Sequence, residues 1–119
     1  TSDTDLFSPN LVKVVFDATG KALWFTRFPI PYIQHASPIP RWRQTKYYGH
    51  IGVYVFRSAA LKQFASWKRT PCEVSESLEQ LRVLEHGGAI YVCQTGKKPI
   101  SIDSPEDAGK VVVTYRKAG

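Results

Sequence analysis

The feature that most constrains this chain is its supply of strands. Two runs have the composition of strands buried on both faces, Ile51 to Arg57 (IGVYVFR) and Ala89 to Gln94 (AIYVCQ). A third and a fourth, Leu11 to Phe16 (LVKVVF) and Ala22 to Thr26 (ALWFT), are joined by Asp17-Ala18-Thr19-Gly20. Two β-rich runs around a short turn containing glycine read as a hairpin. After residue 50 the order is strand, helix, helix, strand, helix, and that alternation predicts an α/β fold. Two buried-type strands and a hairpin make a poor independent parallel sheet, because each buried edge needs a partner. The chain therefore reads as half of something larger.

The predicted helices come from spacing and caps. Ser58 can cap a helix running to about Trp67, with Leu61, Phe64 and Ala65 on one face. Thr70-Pro71-Cys72-Glu73 reads as a loop. A second helix is predicted from about Ser75 to Glu85, with Leu78, Leu81 and Leu84 as its stripe and Gly87-Gly88 as its stop. Gly96 to Pro99 reads as a turn and Ile100 to Asp103 as a short extended piece. Ser104-Pro105-Glu106-Asp107 is a helix start: a capping Ser, Pro at the first position and acids suited to the helix dipole. That last helix is expected to reach about Lys117. Phe28 to Arg43 holds four prolines. These remove backbone donors and fix φ, so a long extended loop is expected there. Its Tyr32 and Trp42, with several Ile, suit an interface better than a solvated loop.

Composition bounds the rest. With 119 residues, a single domain spanning 1–119 is expected. The net charge is +6, but the basic residues are scattered singly or in pairs rather than forming a stripe. This counts against nucleic acid and suits a small anionic ligand. No apolar run approaches a membrane span. The polar start has no signal-peptide pattern and no Met, so a processed or cut N-terminus is expected. Cys72 and Cys93 lack C-x-x-C spacing, which suits a reduced, cytoplasmic protein.

Four segments, in order, resemble the CMP-Kdo synthetases (3-deoxy-manno-octulosonate cytidylyltransferases) of the nucleotide-diphospho-sugar transferase superfamily. VKVVFDATGKALWFTRFPIP (Val12 to Pro31) is similar to the family's hairpin. YYGHIGVYVFR (Tyr47 to Arg57) is similar to its H-[IL]-G-[IVL]-Y-x-[YF]-R. SESLEQLRVL (Ser75 to Leu84) matches its E-S-L-E-Q-L-R, and IDSPED (Ile102 to Asp107) its V-D-T-P-E-D. Gly49 departs from the usual basic residue before the histidine, and Cys72 from the Leu of a Pro-Leu-Glu loop. The resemblance implies the C-terminal, sugar-binding and dimerising half of a Rossmann-like nucleotidyltransferase. The nucleotide half would supply a phosphate loop for CTP and a Mg²⁺ aspartate, and no Gly-rich phosphate loop occurs in this chain. In the reaction so implied, an acid sugar's hydroxyl attacks the α-phosphate of CTP in lipopolysaccharide precursor synthesis. The implied partners are CTP, a Kdo-like sugar, and a second copy or a complementary N-terminal half. The chain alone is expected to be inactive. A free-standing, non-catalytic remnant serving as an interaction module is the other reading.

The site residues follow from the resemblance, and each has a structural alternative. Asp103 is the candidate Mg²⁺ ligand, or a cap for the last helix. His50 and Tyr54, four apart on one strand face, suit a sugar, or a satisfied core pair. Glu79 and Gln80 suit a polyhydroxylated ligand, or a solvated helix face. Arg27 suits the sugar carboxylate, or plain structural support. Arg57 is a weaker candidate of the same kind. Arg82 reads as structural, and His35 and His86 are assigned no role.

Overall fold

The structure, a computed structural model, describes residues 3–35 and 38–96. In chain order the elements are α1 (Asp3–Phe7), β1 (Lys13–Phe16), β2 (Ala22–Thr26), α2 (Arg41–Gln44), β3 (Tyr48–Gly49), α3 (Ser58–Ser66), α4 (Pro71–Glu76) and α5 (Gln80–Glu85). The candidate Asp103, the extended piece around it and the last predicted helix lie outside the described residues.

The hairpin forms as expected. β1 and β2 pair antiparallel, Val14 opposite Phe25, with a bulge between Val15 and Phe16. Its turn is held by Asp17, whose Oδ1 accepts from the Thr19 amide and hydroxyl and from the Lys21 amide. Gly20 closes the turn at φ +85°, a conformation glycine adopts without a Cβ penalty. The sheet is three-stranded in the order β2-β1-β3 and antiparallel throughout.

The two buried-type strands behave differently from expectation. Residues 51–57 join no sheet; the chain pairs one step earlier, through β3 against β1 and His50 N–H to Val12 O at 2.8 Å. Strand composition alone does not make a strand, which needs a neighbour for its ladder. Residues 89–94 form only a bridge, Tyr91 against Lys21, with Ala22 N–H to Ile90 O and Val92 N–H to Gly20 O, both at 2.8 Å.

The helices are corrected at their starts. Ser58 lies inside α3, whose cap position is Arg57 and carries no side-chain cap bond. The segment Thr70 to Glu73 is a helix start rather than a loop. Thr70 and Glu73 form a capping box with Pro71 at the first helical position. The single helix expected over 75–85 is broken. Ser77 sits in the left-handed region at φ 52° and separates α4 from α5. At the far end Gly87, at φ +77°, donates to Leu84 O, and Gly88 donates to Val83 O. This is the Schellman closure that paired glycines favour. Residues 28–35 and 38–40 carry no helix or strand, and the end of the proline-rich stretch forms the one-turn α2.

The core lies between the hairpin and α4–α5. Val14, Ala22, Phe25, Leu78 and Leu81 form it, with Phe16, Trp24, Tyr48, Cys72 and Leu84 packed around them. The leucine stripe read from the sequence is therefore the face that meets the sheet.

Candidate functional site

Four of the candidate residues stand on two segments that flank the core. His50 follows β3, and its ring meets Phe25 edge-on at 5.0 Å between centroids. Tyr54 Oη and His50 Nε2 are 2.9 Å apart. On a straight strand, residues four apart would be separated by about 13 Å, since the rise is about 3.3 Å per residue. They meet because the backbone turns between them, with Val53 N–H bonded to Ile51 O at 2.7 Å. The sequence paired the right residues but on the wrong backbone.

The electrostatics of this pair are those of neutral groups. Burial lowers the pKa of His50, so the imidazole stays uncharged. Partial burial pushes Tyr54 up to about 12, and the nearby Glu79 carboxylate adds to the rise. Glu79 is thus within electrostatic reach of Tyr54 across the gap between the two segments. It is exposed, whereas Gln80, the first residue of α5, is buried. The amide nitrogen of Gln80 has no hydrogen-bond partner among the described residues. A buried amide donor without a partner carries a desolvation cost of about 1–3 kcal/mol. Such a group is what a ligand acceptor would satisfy.

Arg27 supports this arrangement from below. Its Nε donates to Glu76 O at 2.7 Å, Nη1 to Pro9 O at 2.8 Å and Nη2 to Ser77 O at 3.2 Å. Glu76 answers with its carboxylate, accepting from Thr26 Oγ1 at 2.6 Å and from the Arg27 amide at 3.0 Å. Together they pin the turn at Ser77 that precedes Glu79 and Gln80. Three of the five guanidinium donors are used in this way.

Two buried groups that hold the site, Glu73 and Lys13, escaped the sequence reading, whereas Arg82 is structural as read. Glu73 is fully buried and receives Arg82 Nε at 2.8 Å, with a second bond from Arg82 Nη2. The Arg82 guanidinium, with the Thr70 amide behind it, holds the Glu73 carboxyl down to about 2. The opposite face of Arg82 covers Phe64, 4.6 Å from the ring centroid. Lys13 is also buried, its Nζ donating to Ser8 O, Leu11 O and Arg27 O at 2.6–2.8 Å. Burial lowers its pKa, against the pull of Glu76. Only Glu73 had a local signal, the Thr-x-x-Glu spacing of a capping box. Among the described residues, no three His, Cys, Asp or Glu side chains gather to hold a metal ion. No described helix is long and apolar enough to cross a membrane.

Comparison with known proteins bears on the family and the fold. A family model described as cytidylyltransferase matches residues 1–100. A 3-deoxy-manno-octulosonate cytidylyltransferase from Acaryochloris marina is 49% identical over 108 residues, which is 91% of this chain and 42% of that protein. The Porphyromonas gingivalis protein of the same name is 44% identical over 96% of this chain and 45% of its own length. The chain thus spans less than half the length of the curated relatives it matches. A solved CMP:2-keto-3-deoxy-manno-octonic acid synthetase in complex with CTP superposes with a TM-score of 0.87 at 28% identity. That match covers all of this chain and 47% of the other. A family match over most of the chain, with the α/β nucleotidyltransferase neighbour behind it, establishes that this chain belongs to the cytidylyltransferase family and is similar to part of a CMP-Kdo synthetase.

Proposed function

We propose that residues 1–119 are one unit, the C-terminal sugar-recognising part of a cytidylyltransferase. The intact enzyme would join CMP from CTP to 3-deoxy-manno-octulosonate or a similar acid sugar, a step toward lipopolysaccharide in the cytoplasm. The observation that carries this reading is the buried, unpartnered amide of Gln80 next to Glu79, whose carboxylate is within electrostatic reach of the Tyr54 of the His50–Tyr54 pair. Donors and acceptors of this kind suit sugar hydroxyls. Arg27 fixes the turn before them, and its spare N–H groups suit the sugar carboxylate.

In the intact enzyme a sugar hydroxyl attacks the α-phosphate of CTP and pyrophosphate leaves. The part played by this chain is positioning, which turns a bimolecular encounter into an oriented one. Asp103 would be one carboxylate ligand of a Mg²⁺ ion, the other coming from the nucleotide-binding half. Mg²⁺ would neutralise phosphate charge there. The chain alone would not turn over, and the proline-rich stretch with Trp42 would contribute to a homodimer. The coverage of less than half of each relative also suits a second reading, a non-catalytic remnant acting as an interaction module.

The test is an NMR titration of the chain with 3-deoxy-manno-octulosonate, alongside a pyrophosphate-release assay with CTP. Shifts are expected at the amides of His50, Tyr54 and Gln80, and Gln80→Leu should weaken binding about tenfold. Absence of shifts at millimolar sugar, or turnover by the chain alone, would overturn the reading. In an enzyme that also has a nucleotide-binding half, Asp103→Asn should lower kcat rather than sugar affinity.

A further inference from the structure

The turn between α4 and α5 is strained, and it stands directly before Glu79 and Gln80. Ser77 has φ 52° and ψ 51°, the left-handed conformation that residues with a Cβ seldom adopt. Among the described residues it is the only one other than glycine with a positive φ. Such strain persists where the surroundings over-determine it, and it gathers at functional sites. The surroundings here are a reciprocal clamp between the end of β2 and the end of α4. The Glu76 carboxylate accepts from Thr26 Oγ1 on one oxygen and from the Arg27 amide on the other. The Arg27 guanidinium returns two bonds, to the carbonyls of Glu76 and Ser77. Arg27 is anchored in turn, since it donates to Pro9 O and its own carbonyl receives Lys13 Nζ.

We propose that Glu76 is a positioning residue for the sugar site, holding the Ser77 turn in its left-handed form so that Gln80 presents its amide to the ligand. This deepens the proposed function and rests on it. Leu78 and Leu81 are buried in the core and fix how deep this stretch sits against the sheet. They do not fix the direction in which the chain leaves α4, which φ and ψ at Ser77 set. Relaxing Ser77 to the right-handed region would swing the chain that follows, and Gln80 lies three residues on. Its amide nitrogen is buried without a partner, so its direction governs whether a ligand oxygen can meet it. Misplacing a positioned group by about 1 Å can cost about a hundredfold. The two oxygens of Glu76 bind adjacent residues of the chain, which fixes the carboxylate in orientation as well as in place.

NMR of the chain tests this, with 3-deoxy-manno-octulosonate as the probe. The variants are Glu76→Ala, Glu76→Gln and Glu76→Ala combined with Ser77→Gly. Glutamine can keep the clamp, its oxygen accepting from the Arg27 amide and its amide nitrogen donating to Thr26 Oγ1. In the free chain the side-chain amide protons of Gln80 should resonate apart from those of exposed glutamines. Glu76→Gln should keep that separation and Glu76→Ala should lose it. Sugar affinity should fall by about tenfold or more in Glu76→Ala and stay within about threefold in Glu76→Gln. Glycine adopts the left-handed form without a Cβ penalty but is not held there. The double variant should therefore recover thermal stability lost in Glu76→Ala, without recovering the Gln80 signal or the affinity, and it is the one to read if Glu76→Ala does not fold. An unmoved Gln80 signal in Glu76→Ala overturns the proposal. So does a Glu76→Gln variant as weak as Glu76→Ala, or a double variant that regains affinity or fails to fold. A displaced Gln80 signal in Glu76→Ala, with no sugar binding by the wild type, would leave the clamp standing and overturn the proposed function instead.

Discussion

Two regions of this chain are built from similar local material and end in opposite states. The hairpin with α4 and α5 puts Leu81 at 0% exposure and Phe25 at 1%, and buries Glu73 against Arg82. Residues 51–66 hold a strand-type run and a nine-residue helix, yet α3 contributes no buried residue. Both helices are short, so neither is stable without tertiary contact. The difference is the presence of a facing element. α5 packs on β2, whereas Val53 and Val55 are exposed and Leu61 is half exposed. Amphipathic patterning thus marks a face as able to be buried, and only a partner buries it.

The comparison is broken most directly by truncating one side chain in each region. Leu81→Ala or Phe25→Ala should cost about 3–5 kcal/mol, through lost transfer energy and a residual cavity. Val55→Ala in the isolated chain should stay within about 0.5 kcal/mol, as exposed substitutions do. Urea denaturation followed by circular dichroism measures both. A Val55→Ala cost as large as that of Leu81→Ala would erase the distinction between the regions.

A smaller effect separates the regions by pH. The Glu73 carboxyl is held at about 2, below the ordinary carboxylate range, by Arg82. A depressed acid contributes stability that is fully present above its unfolded pKa, about 4.3 for Glu. That contribution is lost as pH falls from there through 2. Stability of the hairpin–α5 region should therefore decline over that window, and Glu73→Gln should flatten the decline while lowering stability at neutral pH. A wild-type profile as flat as that of the variant would show that the Glu73–Arg82 pair does not govern this region.

The smallest expected effect lies at the junction of the two regions. Tyr54→Phe removes the hydroxyl bonded to His50 Nε2 and opens the imidazole to water. Burial lowers the His50 pKa, and the sign is that stability is lost as pH falls through it. The variant's His50 should titrate closer to its ordinary value, read from its ring resonances by NMR. An unchanged titration would mean that the surroundings of His50, Phe25 above all, set its pKa without help from residues 51–57.

What was legible in the sequence was short-range. The Asp17–Gly20 turn, the Gly87-Gly88 stop and the Leu78, Leu81 and Leu84 stripe each depend on residues within a few positions of one another. The capping box at Thr70 was legible in principle, by its Thr-x-x-Glu spacing and Pro71, but the cluster of breakers read as a loop. The pairing of His50 with Tyr54 was found by spacing, although the backbone brings it about by a turn rather than a strand.

Only tertiary structure decided the rest. Arg27 meets the carbonyl of Glu76 49 residues away, and Arg82 meets Glu73 across the break between two helices. No periodicity encodes such pairs, because each carboxylate has several arginines it could reach before the chain is folded. Nor could composition say that Val53 and Val55 would be exposed while Tyr54 and Phe56 pack in an aromatic row, since composition names no neighbour. Turns and caps are fixed by sterics and hydrogen bonds among neighbours in the chain. Burial and ion pairing are fixed by what the folded chain brings within a few ångströms.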